Sequence, residues 1–152
     1  MKIVIAAIGK AKSGPERALY EDYVSRVPWT VQLKEFDFKS ERDTAKRRTK
    51  EAAALLGAAP DGSVIVALDE RGKVESSEKF AARLGAWRDQ GRRTVAFLIG
   101  GADGHGEAVR KRADLCLAFG PMTWPHMLAR AMLAEQLFRA HSILTGHPYH
   151  RA

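Results

Sequence analysis

The sequence predicts an α/β fold, a mostly parallel sheet flanked by helices on both faces. Two observations carry this. Five short apolar runs rich in β-branched residues are each separated from the next by a helix-patterned segment, the arrangement that parallel strands require. One of them, SVIVALD (Ser63 to Asp69), is apolar throughout its strand portion, as expected when both faces of a sheet are covered. With 152 residues and 45% hydrophobic content, the chain can bury one core but not two, so residues 1–152 are expected to form a single domain. No repeat, low-complexity tract or linker interrupts it.

The first strand is KIVIAAIG, Lys2 to Gly9. SGPE follows, where Ser13 with Glu16 three residues on reads as a capping box, and Leu19, Tyr20, Tyr23, Val24 and Val27 continue a helix at helical spacing. TVQLKEFDF (Thr30 to Phe38) reads as a strand whose alternation of Val31 and Leu33 slips phase at Phe36 and Phe38. A basic helix is expected from about Ser40 to Gly57. After the third strand, ERGK reads as a loop. Ser76 to Gly91 places Phe80, Leu84 and Trp87 on one helical stripe with acidic residues near its start. TVAFLIGG is the fourth strand, followed by a short helix over Glu107 to Arg112. DLCLAFG (Asp114 to Gly120) is the fifth strand. A long helix opened by Pro125 then ends near Gly146.

Twenty-five Lys and Arg against eighteen Asp and Glu give a net charge of +7, which favours a polyanionic partner through phosphate contacts. Cys116 is the only cysteine, so neither an intrachain disulfide nor a cysteine-based zinc site can form. The short apolar run at the N-terminus gives way to glycine and lysines, and no other run approaches membrane-spanning length. The expectation is a soluble cytoplasmic protein.

FLIGGADGHG, Phe97 to Gly106, runs from a buried strand into four glycines, a pattern that lets backbone N–H groups approach a ligand. A dinucleotide fingerprint belongs after the first strand, and here the glycines follow the fourth. GKAKSG after the first strand is no phosphate loop either, since Pro15 and Glu16 stand where Lys and Ser or Thr are needed. A tight turn is the competing explanation. The loop has a companion in FGPMTWPH (Phe119 to His126), which leaves another strand end. Adjacent parallel strands present their carboxyl ends at one edge, so the two loops and the Leu68–Asp69 strand end predict a pocket there.

The last helix carries apolar residues on more than one face, which suits burial against the sheet and against another subunit, or one broad core face. Glu135 and Arg139 are four apart and can pair. The tail HPYHR concentrates two histidines, a tyrosine and an arginine that can stack on bases or bond phosphate, or can simply fray. A metal site is disfavoured because Pro148 prevents a regular helix from aligning His147 with His150.

LIGGADG, the segment MTWPHMLARAMLAEQLFRAHSI and the terminal HPYHR resemble the RlmH family, pseudouridine N3-methyltransferases of bacterial large-subunit ribosomal RNA. The similarity extends to KIVIAAIGK, LDERGK and the total length. It implies a SPOUT-type fold with a C-terminal trefoil knot, S-adenosylmethionine as cofactor, an obligate homodimer and 23S rRNA, in the large subunit or assembled ribosome, as partner. Neither membrane nor metal is implied. The threading runs against the physical default, an open doubly wound sheet. Carried over by position, the cofactor site falls on Leu68, on Gly100, Gly101 and Gly104, and on Gly120, Pro121, Met122, Thr123, Trp124 and Pro125. The chain departs from the family pattern at Ala102 and Asp103, commonly Pro-Glu, at Trp124, commonly Leu, and at Met127, commonly Pro.

Methylating N3 of pseudouridine requires removal of an imide proton and alignment of the nitrogen behind the methyl group. His126, directly after the cofactor loop, is the first candidate for that proton. A helix-entry residue bonding local backbone is its alternative role. Glu135, Arg139, Tyr149, His150 and Arg151 are candidates for orienting base and phosphate, and the family's tail is expected to close over the neighbouring subunit's cofactor site. The basic segment Lys39 to Lys50 can track phosphates or form a solvated helix face. The competing functional class is a nonenzymatic basic RNA-binding module in which the glycines serve only as turns. A nicotinamide-dependent oxidoreductase is disfavoured because the glycines are misplaced and the acidic ribose partner is absent.

Overall fold

A computed structural model describes residues 1–151. β1 (Lys2–Ile8), β2 (Thr30–Phe36), β3 (Val64–Val74), β4 (Thr94–Ile99) and β5 (Leu115–Ala118) form one sheet in the order β2-β1-β4-β3-β5. Every pairing is parallel. α1 (Pro15–Arg26), α3 (Ser77–Asp89) and α5 (His126–Thr145) cover one face, where Ile3, Ile5, Val66, Phe97, Leu84 and Leu137 pack together. α2 (Thr44–Ala58) and α4 (Glu107–Arg112) cover the other, over Val4, Ala6, Ile65, Leu98, Leu55 and Val109. Neighbouring strand residues thus go to opposite cores, which is why the strands read as continuous apolar runs. No helix among the described residues is long and apolar enough to cross a membrane.

β2 explains its phase slip. Val31 and Leu33 join the first core, whereas Phe36 at the end of β2 and Phe38 just beyond it join the second, so this stretch serves both faces in succession. α1 does not use the Ser13 capping box. Gly14 is its N-cap, without a side-chain cap, and Pro15 takes the first helical position. Proline disfavours helical backbone in the residue before it, so the helix begins one residue after the predicted cap's reach. α2 begins at Thr44 rather than Ser40, because the Asp43 side chain accepts from the Lys46 backbone N–H and sets the start there. Ser76 caps α3 in the same way, and left-handed Gly146 ends α5.

The largest departure is β3. The ERGK segment was expected to be a loop, yet the strand runs on to Val74, with a register break between Leu68 and Lys73. Both of these residues pair with Leu117 of β5. A strand residue offers one partner on each edge, so β5 is flanked by β3 twice, and residues 69–72 must cross it. Gly72 makes the crossing possible. A Cβ there would lie 2.6 Å from the carbonyl carbon and oxygen of Cys116 and 2.8 Å from the Leu117 nitrogen. An open doubly wound sheet, the default expectation, has no such crossing.

Candidate active site

Three segments converge at the carboxyl edge of the sheet. The end of β3 (Leu68 to Arg71), the loop after β4 (Gly100 to Gly106) and the loop after β5 (Phe119 to Trp124) enclose a cleft of about 480 Å³. Neighbouring parallel strands end there together, so loops far apart in sequence become adjacent walls. Ile99, Leu117 and Ala118 supply apolar floor from the strand ends, and Phe119, Met122 and Trp124 add apolar wall.

The glycines of the first loop have distinct structural causes. Gly100 and Gly101 pack so tightly that a side chain at either would push its neighbours aside by a few tenths of an ångström. A Cβ on Gly100 would sit 3.1 Å from the Gly104 carbonyl carbon, and one on Gly101 would sit 3.0 Å from a Glu51 carboxylate oxygen. Gly104 turns the chain with φ +71°, and its N–H donates to the Gly101 carbonyl at 2.9 Å.

Ion pairs lace the rim. Arg47 of α2 donates to the Asp103 carboxylate at 2.7 Å, and Arg48 donates to the Asp103 carbonyl at 2.6 Å. Arg71 donates to the Asp69 carboxylate at 2.8 Å and to the His105 carbonyl at 3.1 Å, which joins the β3 end to the glycine loop. The Thr123 hydroxyl donates to Glu70 at 2.6 Å and joins the third wall to the first. Such half-exposed pairs contribute little stability. Their effect is to fix where each loop stands. The Arg71 hydrogen bond holds Asp69 below the ordinary carboxylate range, so its charge persists beside the cleft.

His105 is 4% exposed and borders the cleft. Its Nε2 lies 2.9 Å from the Leu98 carbonyl, which can only accept, so Nε2 carries the proton. Burial pushes the imidazole below its ordinary value and keeps it neutral. His126 stands at the cleft as well, on the first residue of α5. Desolvation, and then the Arg130 charge one turn along the helix, lower its pKa. The result is a neutral imidazole with proton-accepting capacity at the cleft mouth.

Leu68, Gly100, Gly101, Gly104, Gly120, Met122, Thr123, Trp124 and His126 therefore meet at one site. Pro121 and Pro125 do not line it. Pro125 is the N-cap of α5 and directs the chain into the helix. Glu135, Arg139, Tyr149 and His150 meet elsewhere. Arg139 donates to Glu135 at 2.9 Å, Tyr149 donates to the same carboxylate at 2.9 Å, and Arg139 lies 3.1 Å from His150 Nδ1. The Arg139 guanidinium covers the Tyr149 ring at 4.9 Å. Desolvation, with hydrogen bonds to Tyr23 and Glu135, raises the Tyr149 phenol well above its ordinary value. Glu135 follows His126 by nine residues, about 13 Å of helix, so the cluster does not reach the cleft of its own chain. Arg151 is exposed. Sequence reasoning places Asp69 at the pocket edge and Arg47 and Arg48 within the basic segment Lys39 to Lys50, but gives no individual role to any of these or to Arg71 and His105.

The cluster borders a second hollow of about 560 Å³, lined by Leu19, Tyr23, Val74, Leu128 and Met132. The two hollows share Leu117 through Gly120, so they adjoin at the same strand end.

A glycine-walled cleft with an apolar floor and a charged rim, at the carboxyl edge of a parallel sheet, defines an α/β protein with room for a small molecule. Comparison with known proteins narrows that class. The family model described as predicted SPOUT methyltransferase matches residues 1–150, and the chain belongs to that family. The chain is 58% identical over 151 residues to the ribosomal RNA large subunit methyltransferase H of Paramagnetospirillum magneticum (strain ATCC 700264 / AMB-1), covering 99% of each. It is 56% identical over 152 residues to the protein of the same name from Rhodospirillum centenum (strain ATCC 51521 / SW), covering all of both. Among solved structures, a probable methylase family protein from Haemophilus influenzae Rd KW20 superimposes with a TM-score of 0.63 at 14% identity, over 99% of this chain and 70% of that one. This last likeness bears on the fold alone.

Proposed function

We propose that the chain transfers a methyl group from S-adenosylmethionine to large-subunit ribosomal RNA, at N3 of a pseudouridine. The relatives' name supports the RNA substrate, and the resemblance of HPYHR and LIGGADG to the RlmH pattern supports the nucleoside. The observation that carries the reading is the cleft. Its volume lies within the usual range for small-molecule sites of about 300–1,000 Å³. Its walls suit adenosine: Leu68, Phe119, Met122 and Trp124 offer apolar surface to the purine, and the backbone of Gly100, Gly101 and Gly120 offers donors and acceptors to its edge. When bound, the cofactor supplies an electrophilic methyl group. His126, held neutral at the mouth, accepts the imide proton of the incoming base, and the loop walls fix the approach of the nitrogen.

The protein acts as a homodimer in the cytoplasm. Leu19 and Val74, 43% and 66% exposed, line the second hollow and provide apolar surface for a second copy. Pairing across that face sets the Glu135–Arg139–Tyr149–His150 cluster of one subunit against the strand end that walls its partner's cleft. The crossing of 69–72 over β5 supports a trefoil knot, with β5 and α5 threaded beneath that segment.

Calorimetric titration of the folded protein with S-adenosylmethionine tests the enzyme reading. One site per chain is expected, and absence of binding leaves only a nonenzymatic RNA-binding module. Mass spectrometry of ribosomal RNA from a strain lacking the gene identifies the nucleoside, which is expected to be a pseudouridine without its N3 methyl group.

A further inference from the structure

GKAKSG, too unlike a nucleotide phosphate loop to be one, has a different place in the structure. Gly9 leaves β1 with φ +96° while its N–H donates to the Phe36 carbonyl at 2.6 Å, so the loop departs sharply from the sheet at the edge that carries the cleft. Two contacts locate it further. Ile8, just before it, packs against Gly101, and Gly9 lies against Met127 and Arg130 in the first turns of α5. The loop thus stands beside the helix start that carries His126.

A buried hub holds it there. Arg130 is 2% exposed. Its guanidinium donates to Glu35 at 2.5 Å and to the Gly9 carbonyl at 2.6 Å, and its Nε is buried without a partner. Glu35 in turn accepts the Ala11 backbone N–H at 2.7 Å. Burying a guanidinium is costly unless it is paired, so an arrangement that spends one on a six-residue surface loop fixes that loop tightly. What the hub presents outward is charge. Lys10 and Lys12 are exposed, and neither makes an ion pair among the described residues. On the far side of the glycine loop, Arg48 lines the same cleft and makes no ion pair either.

We infer that the Gly9–Gly14 loop is the phosphate anchor of the substrate site: Lys10 and Lys12 hold the RNA backbone beside the target nucleotide, and Arg130 and Glu35 are positioning residues that set the loop's distance from His126. The inference rests on the RNA methyltransferase reading above. A lysine held by rigid backbone loses less freedom on binding phosphate than one on a mobile loop, and cations next to the reacting base fix its register.

The test compares Lys10→Ala/Lys12→Ala with Lys2→Ala/Arg93→Ala, which removes the same charge from exposed residues at the opposite edge of the sheet. Ribosomes from a strain lacking the methyl mark serve as substrate. The loop variant is expected to lose about tenfold or more in kcat/KM and to flatten the log–log salt dependence of ribosome binding by about 2, one for each lysine. Its affinity for S-adenosylmethionine and its Tm stay at wild-type values, and the control variant behaves as wild type. Glu35→Ala keeps both lysines but removes the acceptor of the Ala11 N–H. It is expected to speed hydrogen exchange at residues 10–13 and to lower kcat/KM, with cofactor affinity retained. Equal losses in the loop and control variants, or none in either, overturn the proposal. A wild-type protein that neither binds S-adenosylmethionine nor methylates ribosomes sinks the underlying reading instead.

Discussion

Replacing Gly72 by alanine tests the strand crossing directly. The added methyl carbon would lie 2.6 Å from the Cys116 carbonyl carbon and oxygen, about 0.9 Å inside an ordinary carbon contact of about 3.5 Å. Both clashing groups are backbone, so no side-chain rotation relieves them. Either residues 69–72 lift away from β5 or β5 shifts within the sheet. Overpacking in cores costs about 1–3 kcal/mol, and the rigidity of this contact places it at the upper end. For a chain of this size about 3 kcal/mol lowers Tm by about 6–12 °C. Thermal unfolding followed by circular dichroism reads the shift, and titration reads an accompanying loss of S-adenosylmethionine affinity, because residues 68–71 wall the cleft. Gly57→Ala is the internal comparison. It lies in α2 with nothing within 4 Å of the new Cβ, so it is expected to raise stability by about 0.5–1 kcal/mol. A Gly72→Ala protein that melts within about 2 °C of wild type and binds cofactor normally would show that 69–72 does not pass tightly over β5.

His126→Ala is expected to slow methyl transfer by about 10²–10⁴-fold with cofactor affinity retained, and unchanged turnover removes His126 from the chemistry. In the wild type, activity should fall on the acid side at a pH below the ordinary imidazole value of about 6.5, since His126 must be neutral to accept a proton. Stability has its own acid dependence. His105 is pushed down by burial, so between its lowered pKa and about 6.5 the unfolded chain binds the extra proton and stability declines as pH falls. Chemical denaturation at pH 7 and pH 5.5 should show that slope, and His105→Gln should flatten it; an unchanged slope places the protonation elsewhere. Tyr149→Phe breaks the Glu135 hydrogen bond but keeps the ring against Phe138. It should cost about 1 kcal/mol while lowering turnover disproportionately, whereas full activity would make the tail structural.

How far the sequence is legible depends on the range of the interaction. β1 and β4 are apolar at nearly every position, so their type and double-sided burial follow from local pattern. The glycines and prolines that mark the two loops are local too, which brings Gly101, Gly120 and His126 to one edge once a parallel sheet is assumed. The Glu135–Arg139 pair follows from helical spacing. Ser13 and Glu16 match a capping box locally, but Pro15 keeps the backbone of Gly14 out of the helical region, so the box does not form. Glu70, Arg71 and Lys73 are polar and look like loop, because the strand extension they form depends on β5, more than forty residues later in the chain. Arg47 against Asp103, and Arg130 against Glu35, join segments that share no local pattern. Whether their charges face solvent or each other is decided by tertiary packing alone.

The double pairing of Leu117 also bears on how the chain reaches its native state. An edge strand normally docks last onto a finished sheet; in the threaded arrangement proposed above, β5 passes beneath a segment of an earlier strand, so 69–72 would have to stay open or reopen until β5 is in place. Synthesis proceeds from the N-terminus, so β1 through β4 emerge first and can assemble around a deliberately unfinished edge. Refolding from denaturant lacks that order. It should be slow relative to chain length, and slower still when a bulky domain is fused after α5 than when the same domain precedes β1.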